Sequence, residues 1–405
     1  MSHPCQICRA PAVSVLIAAG AHPVSNRFLK MQNEAEERFS LALGQCQVCG
    51  LVQLTERMAV DELVSRFDWL TYNEPESHLD SMTESILNLP GLGPDPIIGA
   101  ITYKDESTLA RFRQRGVERT WRLEMADLGG SGCAGVETLQ ERLTPHHTRQ
   151  LTGKYAPADV LVVRQILEHA YDTHQFAEAL RTWVRPGGYL VFEVPDSAQA
   201  VATCDYSRIW EEHVLYFTPT TLLSSLHHLG FDVRRYDCYE YPHENSLVAI
   251  VQDSGSPAAP ARTDGDAVAR ECELGARFAM EFEPRRSAVQ AFLRQHRALG
   301  GRTAVFGAGH LAAMFINLMD VGDEIEFVAE DHPKKQGLFM PGSRLPIKGS
   351  SHLLADRIDL CLSSLSPESE LRVIARQGEL LAGGSVVASI FPASPRALKA
   401  ITGER

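Results

Sequence analysis

Apolar runs alternate with amphipathic stretches from about residue 97 onward, and this alternation predicts an α/β unit. Buried strands are predicted at residues 97–103, 120–123, 158–165 and 189–194. Amphipathic helices are predicted at 107–114 and at about 173–184, and a Pro-Gly-Gly turn follows at 186–188. Strands that alternate with helices in this way imply a parallel sheet with helices on both faces.

A second unit of the same kind follows a stretch rich in Pro, Gly and Ser at residues 253–265. Its predicted elements are a long polar helix at about 266–298, a strand at 303–306, a helix, and a strand at 325–328. The expected domains are a cysteine-containing module at 1–66, an α/β domain at 67–252, and a helical connector with a second α/β domain at 266–405.

Two Cys-x-x-Cys pairs, Cys5/Cys8 and Cys46/Cys49, are the strongest chemical signal in the chain. Each pair places two thiolates on one tight turn, and two such turns can close a tetrahedral zinc site. Free or disulfide-bonded cysteines are the alternative, but nothing in the sequence indicates an oxidising compartment. With four Cys ligands and no open position, the zinc site is expected to be structural.

The net charge of −12 over 405 residues argues against broad electrostatic binding to nucleic acid or to anionic membranes. The sequence shows no N-terminal secretory signal and no apolar run near the ~20 residues that a membrane span needs. We therefore expect a cytoplasmic protein that acts on a small molecule, and the oligomeric state stays open.

The pair Glu212-His213 is the first candidate for catalysis. An imidazole beside a carboxylate can be held in one tautomer and kept basic near neutral pH. A solvated pair beside the core residues Tyr216 and Phe217 is the alternative. His169 follows the predicted strand 158–165, and open α/β sheets bind ligands at the carboxyl ends of their strands. A loop histidine without a function is the alternative at that position.

A short glycine motif, Gly307-Ala308-Gly309, lies between a predicted strand and a predicted helix. Backbone N–H groups in such a loop can bind a phosphate, and Asp331 closes the next strand at roughly the ~20-residue offset of a ribose-binding acid. Ala312 stands where the third glycine of a dinucleotide fingerprint would be. The motif alone is therefore a weak sign of dinucleotide binding.

Together these motifs resemble the three-domain zinc-containing sugar C-methyltransferases, which act on nucleotide-linked keto-deoxysugars. The likeness extends over nearly the whole chain, and the order of the motifs is more specific than any one of them. Matching stretches lie at residues 20–28, 46–54, 167–169, 212–219, 306–309, 335–337 and 341–347.

The resemblance implies a four-cysteine zinc module, a class I methyltransferase (Rossmann-like) central domain and a second Rossmann-like α/β domain at the C-terminus. It also implies methyl transfer from S-adenosylmethionine to a carbon next to a sugar ketone. His213 would then be the base and Glu212 would orient it, while His169, Tyr216 and Tyr72 would line the substrate pocket.

The resemblance also implies contacts with the cofactor and with the nucleotide of the substrate. The glycine-rich first motif of the family is replaced here by residues 101–107, which contain no glycine. The residues expected at the cofactor are Tyr103, Lys104, Asp105, Ser107, Glu124, Gln165 and Leu167. Those expected at the nucleotide are Gly307, Gly309, His310 and Asp331. The family's substrate loop and the segment after the zinc module also differ, at 244–246 and 69–76.

Three other functions stay open at this point. The first is an enzyme of the same fold that no longer transfers a methyl group. It would keep Glu212-His213 for acid–base chemistry on another nucleotide-bearing substrate, which would fit the loss of the glycine loop. A non-catalytic nucleotide-binding protein would keep the architecture alone. An NAD-dependent oxidoreductase would have to bind its dinucleotide through Gly307-Ala308-Gly309, and Ala312 argues against it.

Overall fold

The computed structural model describes residues 3–70, 74–129, 135–255, 264–376 and 385–402. The chain forms two compact units. The first comprises Met1–Ser14, Gly44–Ser197 and Glu212–Cys272, and the second comprises Val15–Leu43, Ala198–Glu211 and Glu273–Arg405. The three domain boundaries drawn from the sequence stay a prediction beside this division.

Strands and helices alternate along most of the described chain. The strands are β1 Val13–His22, β2 Phe39–Cys46, β3 Val52–Leu54, β4 Ile98–Ala100, β5 Thr120–Arg122, β6 Ala158–Arg164, β7 Val184–Pro195, β8 Leu215–Tyr216, β9 Phe231–Tyr239, β10 Ser246–Asp253, β11 Thr303–Phe306, β12 Val328–Ala329, β13 Ile347–Lys348, β14 Leu360–Ser363 and β15 Val386–Ser389. The α-helices are α1 Val60–Leu63, α2 Leu79–Leu87, α3 Glu106–Gln114, α4 Val136–Arg142, α5 Pro145–Leu151, α6 Thr173–Arg181, α7 Ala198–Thr203, α8 Pro219–His228, α9 Gly265–Ala298, α10 His310–Met319, α11 His352–Ala355, α12 Pro367–Arg376 and α13 Lys399–Thr402.

The first unit is built on a mixed sheet, which has the strand order β5-β4-β6-β7-β10-β9 in the described residues. The first four strands are parallel, and β10 runs antiparallel to both of its neighbours. Every residue of β6 is buried. Its side chains alternate between two apolar cores, Leu161 and Val163 on one face and Val160 and Val162 on the other. The predicted sheet with both faces covered is therefore confirmed.

Three of the predicted elements differ from those in the structure. The strand predicted at 325–328 comprises only Val328–Ala329. The strand predicted at 97–103 ends at Ala100, because Thr102 caps a 3-10 turn that begins at Tyr103. The turn predicted at 186–188 lies inside β7, where the register with β6 shifts between Ala158 and Val160. Gly187 has a φ of 76° there, which a glycine adopts without strain.

The second unit contains a parallel sheet with the order β13-β12-β11-β14-β15 in the described residues. The predicted long helix is α9, and the strand predicted at 303–306 is β11. Two segments from earlier in the chain belong to this unit. Leu29 forms an isolated bridge with Phe339, and the Tyr206 ring packs 4.6 Å from the Phe278 ring.

A smaller sheet has the order β1-β2-β3-β8. Its last strand carries Tyr216, which pairs with Val52 of β3. Among the described residues, no helix combines the length and the apolar character that a membrane crossing requires.

Candidate metal centre and active site

The four cysteines named from the sequence meet in the first unit. Cys5 Sγ lies 3.6 Å from Cys49 Sγ, and Cys8 Sγ lies 3.6 Å from Cys46 Sγ. All four sulfur atoms lie within 4.8 Å of one another. Hydrogen bonds among the thiols raise the pKa of Cys49 and lower the pKa of Cys46. The donors are those of a structural zinc site, so the predicted four-cysteine centre fits the metal.

Tight turns bring each cysteine pair together. In the first turn, Arg9 has a φ of 61° and its N–H donates to the Cys5 carbonyl at 3.0 Å. In the second, Gly50 has a φ of 77° and donates to the Cys46 carbonyl at 2.9 Å. The first turn is also fixed by α6, because Thr173 Oγ1 donates to the Gln6 carbonyl at 2.6 Å. The zinc ligands thus share the apolar core of the first unit.

Three polar side chains converge at the carboxyl end of β6. The 3-10 turn Leu167–His169 presents Glu168 and His169, and His213 approaches from the segment before β8. One carboxylate oxygen and one ring nitrogen from each histidine lie within 4.8 Å of one another. The two imidazole rings are 4.9 Å apart and nearly perpendicular, at 84°. We call this set of three side chains the EHH cluster.

His169 is held in one tautomer within the EHH cluster. Its Nδ1 lies 2.8 Å from the carbonyl oxygen of Glu212, and because a carbonyl only accepts, Nδ1 carries the proton. Nε2 is then the acceptor nitrogen, and it lies 3.9 Å from Glu168 Oε1. Burial lowers the pKa of His169 to about 3, with help from the Lys104 charge, so the ring is neutral at physiological pH.

Glu168 is the member of the cluster that the sequence analysis passed over. Its side chain is buried, and its Oε2 has no hydrogen-bond partner among the described residues. Burial raises the pKa of Glu168 to about 8, against the opposing effect of Lys104. The signal was present in the sequence, because Glu168 stands inside the Leu-Glu-His motif that drew attention to His169.

The structure brings some of the other predicted catalytic residues to the cluster. The Tyr216 ring lies 6.4 Å from the His213 ring, in an edge-on arrangement. Glu212 is buried, and it contacts His169 through its main-chain carbonyl. Tyr72 lies outside the described residues, so its predicted place in the pocket stays a prediction.

The loop that replaces the glycine-rich motif satisfies its own backbone. The Asp105 carboxylate accepts from the N–H of Ile101 at 3.1 Å and from the N–H of Thr102 at 2.7 Å. Asp105 is fully buried, and burial raises its pKa to about 7 while Arg164 opposes the shift. These N–H groups, which a glycine loop would offer to a ligand, are therefore already occupied.

Ion pairs surround this loop. Lys104 Nζ lies 2.8 Å from Glu74 Oε1. Burial alone would lower the pKa of Lys104, but the Glu74 carboxylate raises it above its usual value. Beneath the loop, Arg164 Nη1 donates to the Lys104 carbonyl at 2.9 Å. The same guanidinium pairs with Glu193, its register partner on β7, at 2.5 Å. Ser107 Oγ donates to Glu76 at 2.5 Å.

Glu193 is the centre of a buried polar network. Its carboxylate also accepts from Ser246 Oγ at 2.9 Å and from Gln165 Nε2 at 3.3 Å, and His78 Nε2 lies 3.3 Å away. Burial would raise the pKa of Glu193, but Arg164 and His78 hold it below its usual range. Sequence analysis missed Arg164 and Glu193, although each is a charged residue at the end of an apolar strand.

The remaining residues predicted at the cofactor lie around the same sheet edge. Tyr103 is exposed, Leu167 is buried, and Gln165 has a φ of 51°. Glu124 is exposed just after β5, 3.4 Å from Arg122. In the altered substrate loop, Asn245 Nδ2 donates to Asp196 at 3.1 Å.

The predicted nucleotide-binding loop of the second unit lies between β11 and α10. Gly307 has a φ of 103°, and Gly309 is the N-cap of α10, with His310 as the first helical residue. The Ala308 N–H donates to Glu330 Oε2 at 3.2 Å. Asp331 is exposed, so Glu330, which follows β12 directly, is the acid that contacts the loop.

Lys335 contacts both the loop and Glu330. Its Nζ donates to the Ala308 carbonyl at 2.6 Å and lies 3.2 Å from Glu330 Oε2. His310 stacks on Trp210 with the ring centroids 4.1 Å apart and the planes at 14°. The indole and imidazole faces therefore lie at the N-terminus of α10.

Three family models match the chain in succession. A zinc binding domain matches residues 5–63, a methyltransferase domain matches 93–236, and a C-methyltransferase C-terminal domain matches 261–392. The C-methyltransferase NovU of Streptomyces niveus is 23% identical over 366 residues, which cover 85% of this chain and 84% of that protein. These matches follow the order of the motifs found in the sequence.

Solved methyltransferase structures give weaker matches. The 1,6-didemethyltoxoflavin-N1-methyltransferase of Burkholderia thailandensis, with bound S-adenosylhomocysteine, is 14% identical with a TM-score of 0.30, covering 44% of this chain and 80% of its own. The glycopeptide N-methyltransferase MtfA, complexed with S-adenosylmethionine, is 13% identical with a TM-score of 0.30, covering 45% of this chain and 95% of its own. At these scores neither structure adds weight to a functional argument.

The sheets and the matched domains define a methyltransferase with a zinc-binding domain. The chain carries these three matched domains in succession, and it is similar over most of its length to a C-methyltransferase.

Proposed function

We propose that this chain methylates a carbon next to the ketone of a nucleotide-linked sugar and uses S-adenosylmethionine as the methyl donor. The observation that carries the proposal is the EHH cluster, whose ligating atoms lie within 4.8 Å of one another at the carboxyl end of β6. A C–H bond next to a ketone needs a base, and the enolate oxygen that results needs a stabilising group. Carboxyl and imidazole groups supply both kinds of chemistry.

His213 is the base in this proposal. It is half-buried, and its neighbour His169 stays neutral because the pKa of His169 lies at about 3. His213 can therefore take up a proton without facing a second imidazolium. Glu212 as the group that orients His213 stays a prediction, because its described contact is the carbonyl bond to His169. Tyr216 lies where it can border the same pocket.

The charges around the 101–107 loop fit the proposed cofactor. S-adenosylmethionine, when bound, supplies an electrophilic methyl group, and its methionyl end carries one carboxylate and one ammonium. Lys104 and Glu74 offer the opposite charges, and the exposed Glu124 offers a carboxylate for ribose hydroxyls. Because Asp105 occupies the backbone N–H groups, the methionyl end would be held by side chains. Tyr103, Ser107, Gln165 and Leu167 complete the proposed cofactor contacts.

The nucleotide of the substrate is proposed to bind at the Gly307–His310 loop. The ten-residue helix α10 begins there, and the N-terminus of a helix favours an anionic phosphate. Glu330 and Asp331 are the acids near this loop that could accept from ribose hydroxyls. We also propose that the protein acts in the cytoplasm.

Calorimetric binding of S-adenosylmethionine and S-adenosylhomocysteine to the zinc-loaded full chain tests the first step. Micromolar affinity is expected for both, and turnover of a panel of nucleoside-diphosphate keto-deoxysugars should add one methyl group by mass spectrometry. His213→Asn should abolish the methyl gain and retain cofactor binding. His227→Asn, an exposed histidine on α8, is the matched control and should change neither.

A second candidate function follows from the closed loop. The Lys104–Glu74 and Arg164–Glu193 pairs fill the region with the chain's own charges, which suits acid–base chemistry on a carbonyl substrate without a methyl donor. This alternative predicts no binding of S-adenosylmethionine, yet exchange of the proton next to the ketone into D₂O with the same sugars. Cofactor binding together with a methyl gain rules it out.

A further inference from the structure

We propose that Glu168 is a catalytic residue that donates a hydrogen bond to the ketone oxygen as that oxygen becomes an enolate. The inference rests on the proposed function, because it assigns a second role at the same site. No match to a known family assigns a role to Glu168. Its position is fixed by the 3-10 turn Leu167–His169, and one of its carboxyl oxygens reaches the ring nitrogens of both histidines within 4.8 Å.

The hydrogen bonding of His169 leaves it no proton to donate toward the cluster. Its Nδ1 proton is committed to the Glu212 carbonyl at 2.8 Å, so a neutral His169 presents only the acceptor Nε2 toward the cluster. An acceptor cannot stabilise a developing oxyanion. If His213 takes the proton from carbon, Glu168 is the member of the cluster left to donate to the oxygen. A protonated carboxyl of Glu168 has the O–H that is required.

Glu168 is buried in a way that favours its protonated form. The side chain is 1% exposed, and its Oε2 has no hydrogen-bond partner among the described residues. In an ionised carboxylate this oxygen would lack the bond that a buried charge normally requires, and the main-chain N–H of Glu168 is the hydrogen-bond donor that favours the anion. The pKa of about 8 agrees with a carboxyl that keeps its proton at neutral pH.

Some of the charged groups around Glu168 lower the pKa of its carboxyl and others raise it. Lys104 from the loop after β4 favours the ionised form, while Glu74 and Glu193 oppose it. The α4 helix also packs against this 3-10 turn, and its buried carboxyl, Glu137, accepts from the Gly135 N–H at 3.2 Å. His169 is neutral, and His213 must also be neutral if it is to take a proton from carbon. Burial is the largest cause that raises the pKa of Glu168, and it favours the neutral acid although Lys104 and the main-chain N–H of Glu168 favour the anion.

The step balances without a further reactant. The C–H bond next to the ketone breaks, and its proton goes to His213. The electron pair of that bond forms the carbon–carbon double bond, while the π pair of the carbonyl moves to oxygen. The O–H of Glu168 stabilises the new charge on that oxygen, and the carbonyl is restored when the carbon forms its next bond.

The test compares Glu168→Gln, Glu168→Ala and the matched control Glu137→Gln in the zinc-loaded full chain. Infrared difference spectra of the protein with ¹³C-labelled glutamate, titrated over pH, should show a carboxyl that deprotonates near pH 8. That signal should vanish in Glu168→Gln and persist in Glu137→Gln. A Glu168 carboxyl that titrates near the ordinary value of ~4.3 overturns the proposal. This measurement needs no substrate, so it stands apart from any failure of the methyl-transfer proposal.

Kinetics on the sugar that accepts a methyl group provide the second measurement. Loss of one oxyanion donor lowers kcat by roughly 10²–10³-fold, so Glu168→Ala should lose that much with little change in KM. Glu168→Gln retains an N–H donor and should recover most of the loss. The wild-type rate should fall as the pH rises through about 8, because the acid loses its proton, and this fall should be absent in Glu168→Gln.

Metal content separates the donor role from a second metal site. Two histidines and one carboxylate are also a set of metal ligands. Elemental analysis should find one zinc per chain, unchanged in Glu168→Gln, because the four-cysteine centre accounts for it. A second metal ion that disappears in Glu168→Gln overturns the proposal, since Glu168 would then be a ligand and not a proton donor.

Discussion

In each unit, a carboxylate accepts hydrogen bonds from the backbone of a loop that follows a parallel strand. The carboxylate belongs to the loop itself in the first unit and to a different segment in the second. In the loop after β4, Asp105 accepts from its own segment, at Ile101 and Thr102, and is fully buried. In the loop after β11, Glu330 comes from the following strand, is partly exposed, and is held by Lys335. The first loop is fixed by a side chain of its own segment, whereas the second is bound by a residue that solvent can reach.

The difference shows that the loop after a strand of a Rossmann-like sheet can be built with or without glycine. Glycine lets the backbone itself contact a ligand, but Thr102–Ser107 has side chains at every position. Under the proposed function, recognition in the first unit passes to charged side chains such as Lys104 and Glu74. In the second loop Gly309 keeps the backbone accessible, since a Cβ there would meet no atom within 4 Å, whereas Gly307 is packed against Ser364 and Leu365.

The largest effect that distinguishes the units is expected from zinc removal. Cys46→Ser should release the metal and strongly lower the melting temperature, because the cysteines share the core of the first unit and zinc binding contributes to folding. Hydrogen exchange should then increase at the Thr102–Asp105 loop. The amides of β11 and β14, in the second unit, should keep their protection.

Cys238→Ser is the control for this experiment, because Cys238 is exposed on β9 and lies outside the cluster. It should leave both zinc content and melting temperature unchanged. If Cys46→Ser reduced the protection of amides from hydrogen exchange equally in both units, the expectation that zinc stabilises only the first unit would be wrong.

A smaller effect is expected from the carboxylates that support the loops. Glu193→Gln leaves the buried Arg164 guanidinium without its anionic partner and should lower the free energy of unfolding by about 3–5 kcal/mol. Glu330→Gln removes a charge from a pair near solvent and should cost about 1 kcal/mol or less. Urea unfolding of both variants measures the two changes in the free energy of unfolding. If the changes were similar, the two carboxylates would stabilise the protein equally, against this prediction.

The smallest of the three effects is a pH dependence of the first loop. Burial raises the folded-state pKa of Asp105 to about 7, so the folded state binds more protons than the unfolded state between pH ~4 and ~7. The stabilisation from this group is therefore complete at low pH and declines as the pH rises through about 7. Asp105→Asn, which carries no charge, should remove the decline.

Unfolding of wild type and Asp105→Asn at several pH values checks this prediction. The stability of the variant relative to wild type should grow by a few kcal/mol between pH 4 and pH 8. A difference that stays constant across this range would show that Asp105 keeps an ordinary pKa in the folded protein and that the first loop is less tightly buried than its geometry indicates.

The cysteine pairs and the buried strands were predictable because their signals are local. A Cys-x-x-Cys spacing places two sulfurs on one turn, and an apolar run such as that of β6 fixes burial on both faces. The EHH cluster was predictable in part, because the position of His169 after β6 followed from the strand assignment. Glu168 was missed because a buried glutamate is not distinguished by sequence from a solvated one.

The Arg164–Glu193 pair shows why other parts of the site escaped prediction. The two residues are 29 positions apart and meet only because β6 and β7 are adjacent with a particular register. Likewise, the choice of Glu330 over Asp331 at the second loop depends on one residue of register at the end of β12. A shift of one residue along a strand reverses the direction of its side chains.

The sequence by itself determined the zinc ligands, the alternation of strands and helices, and the likeness to three-domain C-methyltransferases, because each depends on spacing within short segments or on the order of motifs. Tertiary structure alone decided which charges meet beneath the Thr102–Ser107 loop, that Asp105 occupies its N–H groups, and that Glu168 lies buried between two histidines. Those features depend on packing between distant segments, and burial then sets the protonation of the groups that packing encloses.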